Sequence, residues 1–207
     1  MPVFFTDRFS GFQIGIWKIS EDSNVLEAGM NYRSFAINEE RRLQQLASRK
    51  MLFYFAPELD LDRMEIAPSG KPVDKLSKLM FSITHTRGYA AAIVGEEVHA
   101  GIDLETISER ASRIAKRFLN PDEIELINQP SNQNIQGIHT LCWCIKETVY
   151  KWWGRGGLDF ARDIRVKNFT TKGYAEVQCL FDGTKRTLIV KTHQLNDIWL
   201  TYTTGMH

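Results

Sequence analysis

The order of the predicted elements is the feature that most constrains the fold: strand, long helix and further strands follow one another twice. The aromatic and β-branched run 12–19 predicts the first strand. Apolar residues at helical spacing predict a helix from an N-cap at Asn38 to Phe55, and Pro57 closes it. Three strands are then predicted, at Leu79–Thr84, Tyr89–Val94 and Val98–Glu105.

The second round has the same order but more helices. A basic helix is predicted over 108–119, a short one is capped by Asn120 and Pro121, and a polar loop covers 128–134. A long helix follows over 137–153, and four strands are predicted at 162–168, 174–181, 185–191 and 198–204. We therefore expect an α+β protein with two halves of similar size, 1–97 and 98–207, although no residue-level repeat relates them.

Charge and cysteine content exclude several classes of protein. The chain of 207 residues has a net charge of +1, which argues against a nucleic-acid binder that relies on bulk electrostatics. Three cysteines without a CxxC pair favour a reducing compartment. The first residues lack a signal-peptide pattern, and no apolar run approaches the roughly 20 residues that span a bilayer. We expect a cytoplasmic monomer that binds neither nucleic acid nor membrane.

A pair of carboxylates lies on the third predicted strand. Successive side chains of a strand alternate between its faces, so Asp103 and Glu105 share one face and Leu104 lies on the other. Two such carboxylates can hold a hard cation such as Mg²⁺ through oxygen ligands. An ordinary solvated strand face remains the alternative.

A second group of charges lies on the long helix of the second half. Glu147 and Lys151 are i,i+4 neighbours with the acid first, the favourable order for an ion pair. This pair is either a surface contact that adds a few tenths of a kcal/mol or a carboxylate and an ammonium at a phosphate site.

Further cationic residues could bind phosphate. His85 lies between two threonines at a strand end, and Lys71 lies in a turn. Arg41, Arg42 and Arg49 belong to the first long helix, and arginine is the preferred fork for phosphate oxygens. Taken alone, His85 is more typical of a structural residue, and Lys71 and the arginines are more typical of a solvated surface.

Four segments occur in a characteristic order: Gly70-Lys-Pro72, Ser82-Ile-Thr-His-Thr86, Gly101-Ile-Asp-Leu-Glu105 and Trp143-Cys-Ile-Lys-Glu-Thr-Val-Tyr-Lys151. Together they resemble the 4′-phosphopantetheinyl transferase family, which has a Gly-Ile-Asp-x-Glu strand and a later Trp-x-x-Lys-Glu-(Ser/Ala)-x-x-Lys helix. Two residues depart from the family pattern: Thr84 stands where the family usually has serine, and Thr148 where it has serine or alanine. The resemblance covers well over half of the chain.

The resemblance implies a fold and a reaction. Longer single-chain members have two related α+β halves, each a long helix on a small, mostly antiparallel sheet, with the site in the cleft between them. They transfer 4′-phosphopantetheine from coenzyme A to a serine of an apo acyl or peptidyl carrier protein and require Mg²⁺. The other product is adenosine 3′,5′-bisphosphate. The carrier could serve fatty-acid, polyketide or nonribosomal peptide synthesis.

The resemblance also implies roles for individual residues. Those implied for the metal are Asp103, Glu105 and Glu147, and those implied for catalysis are Glu147 and Lys151. The residues implied for coenzyme A are Arg42, Arg49, Lys71, Thr84 and His85, with the choice among Arg41, Arg42 and Arg49 left open.

The helix 108–119 is a candidate surface for the carrier protein. Arginines at i, i+3 and i+7 lie beside an apolar stripe, a pattern that suits an acidic partner with a hydrophobic recognition helix. The docking candidates are Arg110, Arg113, Ile114, Arg117 and Phe118. An inward-packed stripe with solvated arginines is the alternative.

Two other functions are compatible with parts of the pattern. One is a non-catalytic protein that binds coenzyme A or carrier protein, although all three candidate metal carboxylates and Lys151 are present. The other is a Mg²⁺-dependent phosphodiesterase or nuclease. Some nucleases need a lysine two residues after a strand carboxylate, and position 107 is Ile.

Overall fold

The computed structural model describes residues 3–9, 11–96, 99–129, 132–169 and 173–205. These residues form an α+β fold with antiparallel sheets and six α-helices. The helices are α1 Ser23–Glu27, α2 Glu39–Phe55, α3 Glu109–Phe118, α4 Pro121–Ile127, α5 Ile135–Trp153 and α6 Phe160–Asp163. The strands are β1 Val3–Phe9, β2 Phe12–Lys18, β3 Glu65–Ile66, β4 Pro72–Val73, β5 Leu79–Thr86, β6 Tyr89–Glu96, β7 His99–Thr106, β8 Ile164–Phe169, β9 Tyr174–Phe181, β10 Thr184–Leu195 and β11 Ile198–Gly205.

The strands form two main sheets. One has four strands in the order β1-β2-β6-β5, and the other has five in the order β7-β11-β10-β9-β8. Each observed strand pair is antiparallel, and β3 and β4 form a separate two-stranded sheet. The predicted strands after the second long helix are therefore one continuous antiparallel sheet with β7.

The core is built in layers. Helix α2 packs on one face of the four-stranded sheet, where Leu46 and Met51 are fully buried. Helix α5 packs on one face of the five-stranded sheet. The remaining faces of the two sheets contact each other through a cluster that includes Ile16, Ile102 and Leu200, all fully buried. Burial of both faces of each sheet stabilises the fold, because each Å² of apolar surface removed from water contributes about 25 cal/mol.

Helix boundaries follow the local signals in the sequence. The side chain of Asn38 accepts a hydrogen bond from Arg41 N at 2.9 Å, and α2 ends at Phe55 as predicted. Asn120 and Glu123 form a capping box at the start of α4. The short α1 and α6 and the strand β1 were not predicted. Strand β5 extends through Thr86, so His85 lies within the strand.

Two features of the predicted organisation touch residues outside the described ranges. The boundary between the halves, at residues 97 and 98, lies outside them, as does part of the polar loop 128–134. Of the helices in the described ranges, none combines the length and hydrophobicity that crossing a membrane would require.

Candidate active site

A cavity of about 500 Å³ lies between α2 and β5 on one side and β7 and α5 on the other. The turn before β4 closes one end, and the start of α3 lies at another. Most of the side chains predicted to carry chemistry line this cavity: Arg49, Lys71, Thr84, His85, Asp103, Glu105, Arg110, Glu147 and Lys151. Residues from distant parts of the chain thus meet in one place.

Strand alternation places the two carboxylates of β7 in the cavity. Leu104 packs between the sheets, while Asp103 and Glu105 point the other way and line the cavity. Asp103 is only 3% exposed. Its Oδ1 accepts hydrogen bonds from Lys151 Nζ at 2.7 Å and from Thr84 Oγ1 at 2.9 Å. Its Oδ2 is buried and has no hydrogen-bond partner among the described residues.

A glycine brings helix α5 close to strand β7. A Cβ atom at Gly101 would collide with the carbonyl oxygen of Thr148 and lie 2.7 Å from the backbone nitrogen of Trp152. Only a residue without a side chain permits this approach. The hydroxyl of Thr148 lies 2.6 Å from that of Thr201 on β11, which holds the helix to the sheet from a second side. Glu147 and Lys151 thereby face the carboxylates of β7.

The carboxylates share a negative potential. Burial, reinforced by the charge of Asp103, raises the pKa of Glu147 to about 7. The same two causes raise the pKa of Glu105 to about 7, although its hydrogen bond from Trp143 Nε1, at 3.0 Å, acts in the opposite direction. Groups that hold their protons for these reasons are stabilised as anions when a cation joins them.

The donor set suits a hard divalent cation. It offers carboxylate oxygens alone, including the unpartnered Oδ2 of Asp103. Among the described residues, however, no three His, Cys, Asp or Glu side chains are placed to hold a metal ion as they stand. Binding a cation here would require side-chain rotation.

Cationic groups lie on α2 and at the end of the cavity that the turn before β4 closes, and together we call them the cationic wall. Arg49 lies over the ring of Tyr32 at 4.8 Å, and its Nε is buried without a hydrogen-bond partner in the described ranges. Lys71 Nζ donates to the carbonyl oxygens of Lys151 at 3.0 Å and Ala100 at 3.2 Å. Burial lowers the pKa of Lys71 to about 8. These groups create a site that favours an anion.

The positive potential of the cavity also affects the pKa of His85. Desolvation at the cavity lowers its pKa, and the charges of Lys151, Arg49 and Arg41 act in the same direction. The shift favours the neutral imidazole, which can donate one hydrogen bond and accept another. Lys151 responds differently: burial opposes its charge, but the negative charges of Asp103 and Glu147 outweigh burial and raise its pKa.

Two predicted coenzyme A residues have other contacts. Arg42 does not line the cavity, and its guanidinium forms an ion pair with Glu27 of α1 at 2.8 Å. Thr84 lines the cavity, but it is 5% exposed and its hydroxyl donates to Asp103.

Helix α3 packs its apolar stripe inward. Phe118 is 1% exposed and contacts the Trp143 ring edge-on, with ring centroids 5.1 Å apart. The prediction that Phe118 belongs to a docking surface is therefore wrong, because α5 already covers it. Ile114 is half-buried, whereas Arg110, Arg113 and Arg117 are exposed. Arg113 forms an ion pair with Glu109 at 2.7 Å.

Several contacts were missed by sequence reasoning. Trp143 lines the cavity, and nothing in the sequence indicated that its indole N–H donates a hydrogen bond to Glu105. Ser69 lines the cavity with a buried hydroxyl that has no partner among the described residues. Lys146 is fully buried in an ion pair with Glu123. The capping signal at Asn120 could have indicated Glu123, but nothing local indicated its partner.

Two comparisons with known proteins give a match, and the family model covers the part of the chain that carries the carboxylates. The model of the 4′-phosphopantetheinyl transferase superfamily matches residues 99–203, just over half of the chain. The chain is also 29% identical over 109 residues to the 4′-phosphopantetheinyl transferase HetI of Nostoc sp.. That alignment covers 50% of this chain and 46% of the relative, so the chain spans about half the length of the curated relative it matches.

Proposed function

The chain belongs to the 4′-phosphopantetheinyl transferase superfamily, and from this premise we propose that it transfers 4′-phosphopantetheine from coenzyme A to a serine of an apo acyl or peptidyl carrier protein. The observation that carries the proposal is one cavity with an acidic wall of Asp103, Glu105 and Glu147 and a cationic wall that includes Arg49 and Lys71. A pyrophosphate ester and a divalent cation would complement these two walls.

The carboxylate wall is the proposed metal site. Asp103, Glu105 and Glu147 would hold Mg²⁺, and the unpartnered Oδ2 of Asp103 supports this assignment. When bound, the cation supplies charge neutralisation and orientation at the pyrophosphate. Lys151 and Thr84 hold the other oxygen of Asp103 and thereby fix the direction of this ligand.

The cationic wall is the proposed coenzyme A site. Arg49, Lys71 and His85 would contact its phosphates, and the buried, unpartnered Nε of Arg49 supports this assignment. Arg42 would need to leave Glu27 before it could contribute. We assign Thr84 chiefly to the orientation of Asp103, and its coenzyme A contact stays a prediction.

The reaction requires a base for the serine hydroxyl. We assign this role to Glu147, which lines the cavity beside Lys151 and would accept that proton as the new serine oxygen–phosphorus bond forms. The bond between that phosphorus and the bridging oxygen breaks, and its electron pair leaves with adenosine 3′,5′-bisphosphate. Lys151 keeps its proton because its pKa is raised, so it would stabilise the departing anion as an ammonium group.

The carrier protein is proposed to approach along α3. Arg110 lines the cavity and is exposed, so it would connect the site with the surface formed by Arg113, Ile114 and Arg117. These residues suit an acidic partner with a hydrophobic contact. We propose an acyl or peptidyl carrier as the partner without choosing among fatty-acid, polyketide and peptide pathways. We also propose that the protein is a monomer in the cytoplasm.

We further propose that the halves 1–97 and 98–207 are related by a pseudo-twofold axis. Their strand orders support this relation. In the first half β6 lies between β2 and β5, and in the second half β11 lies between β7 and β10. In each half the last strand along the chain therefore pairs with an early strand and with the strand that precedes it in sequence. Gly15 on β2 lies tightly against Met51 of α2, as Gly101 on β7 lies against α5.

The proposal is tested by the intact mass of carrier proteins. A small panel of apo carriers is incubated with the protein, coenzyme A and Mg²⁺, with parallel samples that lack coenzyme A or contain EDTA. We expect a gain of one phosphopantetheine unit on at least one carrier, only in the complete mixture. Binding of coenzyme A without any mass gain across fatty-acid, polyketide and peptide carriers would favour the non-catalytic alternative.

A further inference from the structure

Lys146 is a buried cation beside the proposed base. It is the residue before Glu147 on α5, and its side chain is fully buried. Its Nζ donates to Glu123 at 2.8 Å and to the carbonyl oxygens of Phe160 at 2.8 Å and Ile164 at 2.5 Å. All three hydrogens of the ammonium group are therefore used within the protein, and none is left for a ligand.

Glu123 extends these contacts to a second set of backbone groups. It is 2% exposed, and it accepts hydrogen bonds from Val166 N at 2.7 Å and from Asn120 N at 2.8 Å. The Lys146–Glu123 pair thus connects α5 to the start of α4, to α6 and to β8. We call this set of contacts the α5 pin.

The pin fixes a helix whose other face lines the cavity. Successive residues of a helix lie about 100° apart, so Lys146 points away from the cavity while Glu147 points toward it. Trp143, one turn before Glu147, lines the same cavity and holds Glu105 at 3.0 Å. A rotation of α5 would therefore move Glu147 and the Trp143–Glu105 contact together.

We propose that Lys146 is a positioning residue that fixes the rotation of α5 and thereby the place of the Glu147 carboxylate in the cavity. The inference rests on the proposed function only in naming Glu147 as the base. A buried ion pair is weak evidence for stability, because an uncharged pair of similar size often replaces it without loss. The Lys146 ammonium group, however, makes directional hydrogen bonds to three fixed acceptors. Such bonds define one orientation of α5, which an apolar contact could not do.

The test separates orientation from stability by three variants. Lys146→Met alone leaves Glu123 as an uncompensated buried charge, so we use the neutral double variant Glu123→Gln/Lys146→Met. Glutamine keeps one oxygen for the capping box and can donate its amide N–H groups to the freed carbonyls, at the cost of the acceptor that Val166 N uses. Glu123→Gln alone keeps the Lys146 ammonium and offers it an amide oxygen, so it loses the ion pair, and with it stability, while the directional bonds of Lys146 remain possible. Ile145→Val is a buried substitution on α5 that removes none of the hydrogen bonds of the pin.

The spectroscopic readout is the indole N–H resonance of Trp143, assigned among the five tryptophans by Trp143→Phe. We expect the double variant to melt within roughly 5 °C of Ile145→Val and yet to show a shifted Trp143 resonance. Glu123→Gln and Ile145→Val should leave the resonance at its wild-type position. An unmoved resonance in the double variant, or an equal shift in Ile145→Val, overturns the proposal.

The kinetic readout is a separate one. Displacement of a reacting group by about 1 Å can cost about 100-fold in rate, so kcat of the double variant should fall by that order while KM for coenzyme A is unchanged. A double variant with the kcat and the melting temperature of wild type would also overturn the proposal. A wild-type protein that transfers nothing contradicts the proposed function, whereas the indole resonance still decides whether Lys146 sets the rotation of α5.

Discussion

The ammonium group of Lys151 lies 2.7 Å from Oδ1 of Asp103, and this ion pair joins helix α5 to strand β7 at the base of the cavity. The other oxygen of Asp103 is buried and has no hydrogen-bond partner in the described ranges. A buried carboxylate oxygen without a partner costs free energy until a donor or cation meets it. The site is thus arranged for a ligand at the expense of stability.

The role of Glu147 is tested by Glu147→Gln. Loss of a general base typically costs 10²–10⁴-fold, so we expect kcat for carrier loading to fall by at least about 100-fold with a wild-type circular dichroism spectrum. Glu125→Gln makes the same chemical change at an exposed position of α4 and should retain full activity. Wild-type loading by Glu147→Gln would remove Glu147 from the mechanism.

The raised pKa of Glu147 predicts a pH-dependent difference in stability. Its pKa shifts from 4.5 to about 7 on folding, so the folded state binds more protons than the unfolded state between these values. Stability from this group is therefore present at low pH and is lost as pH rises through the window. Glutamine does not titrate, so Glu147→Gln should gain on wild type by about 2 kcal/mol, or roughly 4–8 °C in melting temperature, between about pH 5 and pH 8.

Melting curves in EDTA measure this gain, with Glu125→Gln as the control that should show none. Addition of Mg²⁺ near pH 8 should raise the melting temperature of wild type more than that of Glu147→Gln, because the cation binds the deprotonated carboxylate. A gain that shrinks as pH rises would show that the carboxyl of Glu147 is not the group that loses its proton in this window.

The docking surface is tested by charge reversal. The double variant Arg113→Glu/Arg117→Glu should raise KM for an acidic carrier about tenfold or more, while KM for coenzyme A stays at its wild-type value. Arg165→Glu/Lys167→Glu, at exposed positions of β8, provides a control of the same charge change away from α3. Equal increases in both KM values would argue that α3 does not bind the carrier.

The cysteines are predicted to be unreactive in the folded protein. All three are buried, and burial raises the pKa of Cys142 and of Cys179 to about 12 and that of Cys144 well above its usual range. The thiolate is the reactive form, so iodoacetamide at neutral pH should leave the native protein unmodified. Intact mass should show three additions in denaturant, and rapid alkylation of native protein would contradict the burial of these thiols.

Local patterns in the sequence were sufficient to predict the paired carboxylates. Alternation along β7 placed Asp103 and Glu105 on one face, and helical spacing placed Glu147 beside Lys151. These relations depend on backbone geometry within a few residues, which the sequence encodes directly. The cap at Asn38 and the capping box at Asn120 were readable for the same reason.

Contacts between distant residues could not be predicted in this way. Lys146 meets Glu123, 23 residues earlier, and Lys71 meets the carbonyl oxygen of Lys151, 80 residues later. Such pairs depend on how the sheets pack, and no local spacing records that packing. Arg42 and Phe118 show the same limit: periodicity gave their helix faces, but Glu27 and Trp143 determine what those faces contact.

The close approach at Gly101 has a consequence for how this site can vary. Where β7 and α5 touch through main-chain atoms, the spacing between the backbone positions that carry Asp103 and Glu147 is set by the peptide backbone itself. Substitutions elsewhere around the cavity can then alter what enters it without changing that spacing. Because Gly101 has a hydrogen atom in place of a side chain, the residues that set the spacing of the site are different from those that set its specificity.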